Sequence, residues 1–276
     1  YEYACLGKPV VSSYMKEMVQ YISHSVYVAA SPDEFNFYLR KSMDESVQRH
    51  ARENGPSLAQ ENTWERRVQS LLPYFSDRGA LCEQLKTTYQ KYDVIFLSII
   101  DYNFRYQRPQ QIADFFARAG HRTFFFNANF GTQSSISEVP GKSNLSVVTL
   151  QNSEEFSIHL TDLSTRRRDL NKFLDQFIKQ HWIKDCVVIV EYPNWWNVAN
   201  YLKNRYGFTT ITDYLDDFGG FENSEKNLVV ANTARLLELS DRVIASSIYL
   251  CDLVRRSHCD VSLIRNGTEF PHFHQA

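Results

Sequence analysis

From Asp93 onward the chain alternates between two hydrophobic periods. Val94 to Ile100 is a nearly continuous apolar run, the pattern of a strand buried on both faces of a parallel sheet. Gln110 to Ala119 repeats apolar residues at helical spacing (Ile112, Phe115, Phe116, Ala119), and Gly120 stops it. Thr123 to Asn127 and Leu145 to Val148 predict two further strands. Leu170, Phe173, Leu174, Phe177 and Ile178 form the cleanest helical face in the chain. Strands over Val187–Val190, Thr209–Thr212, Arg242–Ala245 and Val261–Ile264 then alternate with helices over Trp195–Tyr206, Ser224–Glu238 and Ile248–Arg256. Such alternation predicts βαβ units, and with them an α/β fold built on a Rossmann-like, doubly wound parallel sheet.

A second, shorter α/β pattern covers residues 1–72. After a helix-like first turn, Gly7-Lys8-Pro9 leads into Val10-Val11, a helical segment follows, and Val26 to Ala29 predicts a strand. Ser31-Pro32-Asp33-Glu34 is a helix start: Ser31 caps, Pro32 suits the first helical position and Glu34 closes a capping box. Phe35, Leu39 and Met43 then share a face. Asn62-Thr63-Trp64-Glu65 reads as a second start, with Trp64, Val68, Leu71 and Leu72 inward. Residues 73–92 mix Pro, Gly and polar side chains and read as a linker with room for one helix. The predicted organisation is a partial α/β segment over 1–72, the linker 73–92, and an α/β domain over 93–276.

Composition narrows the function classes. Of the 276 residues, 43% are hydrophobic and 22% charged, enough for a sizeable core. The formal net charge of −2 provides no basic field for nucleic acid or an anionic membrane. Arg166-Arg167-Arg168 reads as a solvated helix start. Cys5, Cys82, Cys186, Cys251 and Cys259 are odd in number and widely spaced, which argues against a disulfide framework or a zinc site and for a reducing cytosol. No apolar run approaches the roughly 20 residues of a membrane helix. The chain opens on Tyr1 rather than Met, so its natural N-terminus is expected upstream.

Ligands in doubly wound sheets bind beyond the carboxyl ends of the strands, so the loops there carry the candidate chemistry. The first runs from Asp101 to Gln110. Arg105 and Arg108 suit phosphate or carboxylate, and Tyr102 and Tyr106 suit a sugar ring. The structural alternative is that Arg108 and Gln110 brace the helix start. No GxGxxG fingerprint is present, which disfavours a dinucleotide oxidoreductase. Trp195-Trp196 can form a carbohydrate platform or equally pack under a loop. Asp213, Asp216 and Asp217 cluster at a strand end before Gly219-Gly220, where carboxylates can accept sugar hydroxyls or act as a general base. Divalent-cation binding there lacks a second ligand cluster, so no metal is expected. Ser246-Ser247 reads as a helix cap, and the eight histidines form no catalytic signature.

Several of these segments resemble retaining glycosyltransferases of family 4, which have the GT-B fold. Glu2, followed five positions on by Gly7-Lys8-Pro9-Val10-Val11, is similar to a donor-domain segment of that family. The resemblance implies that Glu2 holds the ribose of a nucleotide sugar; the first Glu of the family's E-x7-E pair would precede Tyr1. The Tyr102–Gln111 loop resembles the "DFRYQRPQQ" loop of a bacterial polysaccharide-synthesis subgroup, and Asp213-Tyr214-Leu215-Asp216-Asp217 resembles its "YDxxDD" strand end. Ile264-Arg265-Asn266-Gly267-Thr268-Glu269 resembles "IPNGVD", with Arg265 in place of Pro and Thr268-Glu269 in place of Val-Asp.

The resemblance implies a donor-domain remnant (1–72) followed by an acceptor-side, GT-B N-terminal-type domain (93–276), the reverse of the usual order. A segment cut across a tandem multidomain protein explains this most simply; circular permutation is the second account. The implied activity is transfer of a sugar from a nucleoside-diphosphate donor to a glycan or polysaccharide acceptor, with retention and without cofactor. Asp213, Asp216 and Asp217 would be catalytic, and Tyr102, Arg105, Arg108, Trp195 and Trp196 would line the acceptor side. Implied partners are the nucleotide sugar, the glycan acceptor and further domains of the same polypeptide, with no nucleic acid and no transmembrane segment. The implied setting is the cytoplasm, free or peripheral at the inner membrane face. The rival reading is a non-catalytic scaffold or glycan-binding module of a polysaccharide synthase. The isolated 276 residues are expected to be inactive in a radiolabelled sugar-transfer assay, because the first Glu and the donor-domain sheet are missing.

Overall fold

A computed structural model describes residues 1–70, 91–152, 156–160, 163, 167–220, 226–257 and 260–274. Residues 71–90 of the expected inward face and linker, Cys82, Arg166, Cys259 and the Ser224 helix start lie outside the described residues. The chain divides into two compact units: Tyr1–Leu71 with Ser247–Tyr249 and Ile264–Ala276, and Leu72–Ser246 with Leu250–Leu263.

In the first unit, α1 (Glu2–Cys5) precedes β1 (Val10–Ser13) and β2 (Val26–Ala29), which pair in parallel with Val10 opposite Val26. Three helices follow: α2 (Pro32–Lys41), α3 (Glu45–Glu61) and α4 (Trp64–Gln69). Ser31 Oγ accepts the Glu34 N–H at 3.2 Å, as a cap should. The Glu34 carboxylate accepts the N–H of Ala30 at 2.8 Å, one residue before the position a capping box would use. Thr63, rather than Asn62, caps α4 through the Arg66 N–H, and Trp64 and Val68 are buried. The predicted face of α2 is not inward: the helix buries no residue, and Leu39 and Met43 are exposed. Tyr38 instead stacks on Tyr27, with ring centroids 5.3 Å apart.

The second unit holds the sheet. Its strands are β3 (Asp93–Leu97), β4 (Thr123–Phe126), β6 (Ser135–Glu138), β7 (Leu145–Thr149), β9 (Cys186–Val190), β10 (Thr209–Tyr214), β11 (Arg242–Ala245) and β12 (Val261–Leu263). Two short strands, β5 (Asn129–Phe130) and β8 (Phe156–Ser157), pair antiparallel with each other. The helices are α5 (Arg108–Arg118), α6 (Arg167–Gln180), α7 (Trp196–Tyr206), α8 (Lys226–Leu239) and, from Leu250 on, α9 (Ile248–Arg255). The eight-stranded order is β12-β11-β10-β9-β3-β4-β7-β6, parallel except for β6 against β7. This is the doubly wound α/β sheet that the alternating runs predict. β3, β4 and β9 are buried along their whole length, as continuous apolar runs require. Phe124 and Phe126 meet Phe177 of α6 edge to face at 5.0 and 5.4 Å, so the helical face read from the sequence does pack on the sheet. The antiparallel β6 has no sequence signal, because all four of its residues are exposed.

Strand β3 sits between β4 and β9, and the chain winds outward from it in both directions. The order of connection therefore reverses between β3 and β9, which places the binding crevice of the fold at their carboxyl ends. Among the described residues, Cys5, Cys186 and Cys251 are buried and form no disulfide, and no helix is long and apolar enough to cross a membrane.

Ile264–Ala276, placed with the second domain on the sequence, packs with the first unit, and its last described helix is α10 (Phe270–His274). Trp64 donates its N–H to the Thr268 carbonyl at 3.1 Å, and Thr268 returns its own to Asn62 at 2.9 Å. Arg265 Nε donates to Glu17 at 2.8 Å. Gly267 makes the approach possible, since a Cβ there would lie 2.7 Å from the Trp64 nitrogen. Gly267→Ala should thus overpack this contact and destabilise by about 1–3 kcal/mol; a lowered urea midpoint, followed by circular dichroism, checks it.

Candidate functional site

The reversal point is occupied by a buried acid. Glu191, the first residue after β9, is 1% exposed. Its Oε2 accepts the Ser98 hydroxyl at 3.1 Å and the Ile99 N–H at 3.2 Å, both just beyond β3. Ser98 Oγ in turn accepts the Ile100 N–H at 3.2 Å. Glu191 therefore laces together the two strands that flank the crevice. Among the described residues, its Oε1 has no hydrogen-bond partner. Burial, and then the nearby Asp213 carboxylate, hold the Glu191 carboxyl far above its ordinary range, outweighing the opposing Ile99, Arg108 and Ser98 interactions. The shift favours the protonated carboxyl, and with Oε2 accepting twice a proton held there lies on Oε1.

Next to it lies a closed ion pair. Arg108, the first residue of α5, meets Asp213 near the end of β10 in a two-pronged contact, Nε to Oδ2 and Nη2 to Oδ1, both 2.8 Å. Arg108 is 5% exposed and Asp213 is fully buried. A planar guanidinium matched to a carboxylate is the one arrangement that makes such burial tolerable. Pro109 starts the helix, and Gln110 holds the turn: its Oε1 accepts the Gln107 N–H at 3.0 Å, and its Nε2 donates to the Asp101 and Tyr102 carbonyls.

The other predicted residues fall into distinct environments. Tyr102 is no sugar platform: it is 7% exposed, and its hydroxyl donates to Asp114 at 2.8 Å and accepts from Lys142 at 2.8 Å. Trp195 is fully buried with its Nε1 on the Ser98 carbonyl at 2.8 Å, so packing under the loop is realised and stacking on a ligand is closed. Trp196 is half-buried, with the Arg235 guanidinium 4.9 Å over its ring. Arg108 and Asp213 are engaged with each other rather than free for a ligand. Arg105 is exposed and lies 5.3 Å over the ring of Phe104, itself 64% exposed, beside Tyr106. Asp216 is exposed with its carboxyl raised by desolvation, and Asp217 is half-buried. Glu2 is exposed on α1 in the first unit. Among the described residues no group of three metal-ligating side chains is assembled.

Sequence reasoning passed over Glu191, Phe104 and His159. His159 bonds the Ile99 carbonyl at 2.7 Å through Nε2, and burial lowers its basicity. A neutral imidazole donating through Nε2 leaves Nδ1 as an acceptor beside the Tyr192 ring, at 4.6 Å between centroids. The signal for Glu191 is a carboxylate directly after an all-apolar strand.

No protein-family profile matches the chain, and no curated protein is significantly similar to it. Solved structures share its fold. Sucrose-phosphate synthase from Thermosynechococcus elongatus superposes with a TM-score of 0.52 at 14% identity, covering 64% of this chain and 49% of that one. A second structure of that protein aligns over 67% of this chain and 94% of its own at 17% identity, with a TM-score of 0.47. The chain thus spans about half the length of the first. The likeness is one of fold, a Rossmann-like domain of the GT-B kind.

The buried acid has a pH consequence. Below the unfolded carboxyl value of about 4.3, folded and unfolded chains both hold the Glu191 proton. Above it the unfolded chain ionises while the folded one resists, so this residue erodes stability as pH rises. Glu191→Gln, which keeps the accepting oxygen and places an amide donor at the Oε1 side, should gain stability relative to the native chain from pH 4 to pH 8. Paired urea melts across that range check the sign.

Proposed function

We propose that the second unit is the acceptor-side domain of a retaining glycosyltransferase of family 4, of the bacterial polysaccharide-synthesis type. It would move a sugar from a nucleoside-diphosphate donor to a glycan. The observation that carries the reading is Glu191 Oε1, a buried carboxyl oxygen that no described residue partners, at the point where the strand order reverses. A neutral carboxyl suits the oxygen of an uncharged saccharide, and the closed Arg108–Asp213 pair beside it adds polarity without net charge. Exposed Phe104, Arg105 and Tyr106 supply the aromatic and cationic surface on which a sugar and its substituents rest. Asp216, exposed and with a raised carboxyl, is the best placed general base for an acceptor hydroxyl. Glu2, on the first unit, takes the donor ribose. The setting is the cytoplasm, at the inner face of the membrane where glycan chains are extended.

The test is sugar transfer by the full-length protein that carries this chain. Asp216→Ala should lower kcat by about 100-fold or more with little change in stability. Glu191→Ala should raise the KM for the acceptor by about tenfold, and Glu191→Gln should restore it. Unchanged turnover in both alanine variants, with loss of association to neighbouring domains, would establish the scaffold role instead.

A further inference from the structure

At the opposite, amino-terminal edge of the same sheet lies a cavity of about 370 Å³, lined by residues that include Lys91, Asp93, Arg122, Trp182, Lys184 and Asp185. It belongs to the second unit and shares no residue with the carboxyl-edge site. Trp182 is its unusual member. Helix α6 ends in a paired closure, with the Ile183 N–H on the Ile178 carbonyl at 3.1 Å and the Trp182 N–H on the Lys179 carbonyl at 3.3 Å. In that closure the residue after the cap takes a left-handed conformation, and glycine is the usual occupant. Trp182 occupies it with φ +52°. Gly207 does the same at the end of α7, with φ +70°. A bulky side chain in this region is strained. Burial does not offset the strain, because Trp182 is 77% exposed. An exposed indole held at a conformational cost is explained by something it touches outside the fold.

The surrounding charges indicate what that is. Arg122 is committed to Asp93 through two contacts of 2.7 and 2.6 Å. Lys91 and Lys184 have no ion-pair partner among the described residues. Lys91 reaches across Gly120, where a Cβ would come within 2.7 Å of its Nζ, so the missing side chain makes room for the ammonium. One open indole face and two ammonium groups without an ion-pair partner among the described residues fit a ring with an apolar face and a negative substituent. We propose that this cavity is a second binding site, for an acidic saccharide bearing a uronate or phosphate group, with its ring stacked on Trp182 and its charge between Lys91 and Lys184.

The experiment uses the 276-residue chain and follows the Trp182 indole N–H by NMR, assigned through Trp182→Gly. The probes are trigalacturonate, glucose 6-phosphate, maltotriose and uridine monophosphate. The expected result is a saturable shift of that signal with one or both acidic sugars, the two separating uronate from phosphate as the preferred group. Maltotriose should bind about tenfold more weakly, and Lys184→Gln should lower the acidic-sugar affinity by a similar factor. Trp182→Gly should abolish binding and raise the thermal midpoint by about 2–4 °C, a combination that a structural role would not produce. The proposal is overturned by an unmoved indole signal with both acidic sugars, by equal or tighter binding of maltotriose or uridine monophosphate, or by a lowered midpoint in Trp182→Gly.

Discussion

The Arg108–Asp213 pair is the contact on which the crevice of this protein depends. It ties the first residue of α5 to β10, across β3 and β9 in the sheet order. Its two 2.8 Å contacts satisfy a carboxylate that has no access to water. Without the guanidinium, Asp213 would be a buried carboxylate stripped of both these partners, in a dry environment where lost hydrogen bonds are costly.

The two edges of the sheet solve different electrostatic problems. At the carboxyl edge the Arg108–Asp213 charges are internal and paired, the Glu191 carboxyl is itself buried, and what is offered outward is a rim of exposed aromatic and cationic side chains. At the amino edge the Arg122–Asp93 pair is half open to solvent, and two lysines stand beside an indole. A buried, neutral crevice discriminates by hydrogen-bond geometry. An open, positively biased pocket attracts by charge and is screened by salt. One doubly wound sheet therefore carries two surfaces of opposite character, separated by the length of its strands.

Much of the fold was legible because its signals are local. Asp93–Leu97, Thr123–Phe126 and Cys186–Val190 are apolar at nearly every position because both faces are covered. The caps at Ser31 and Thr63 follow from the reach of a short side chain to the next turn. The failures are non-local. The apolar side of α2 is amphipathic by spacing, yet Leu39 and Met43 remain in solvent, since no element of the first unit covers them. Ile264–Ala276 follows β12 directly but joins the first unit, through backbone hydrogen bonds to Asn62 and Trp64 that no periodicity encodes.

For the candidate site the same division holds. The sequence by itself determined the class of sheet, the loops at its carboxyl edge, and the residue types available there: arginines, aspartates, tyrosines and tryptophans. Only the tertiary structure decided which of them face a ligand. Tyr102 and Trp195 point inward because Asp114 on the following helix and the Ser98 carbonyl, 97 residues away in sequence, satisfy their polar ends. Arg108 and Asp213, 105 residues apart, neutralise each other. Glu191 Oε1 is left without a partner among the described residues because the end of β3 supplies partners for the other oxygen alone. Hydrophobic period is a property of neighbours along the chain, whereas the pairing and desolvation of polar groups is a property of neighbours in space.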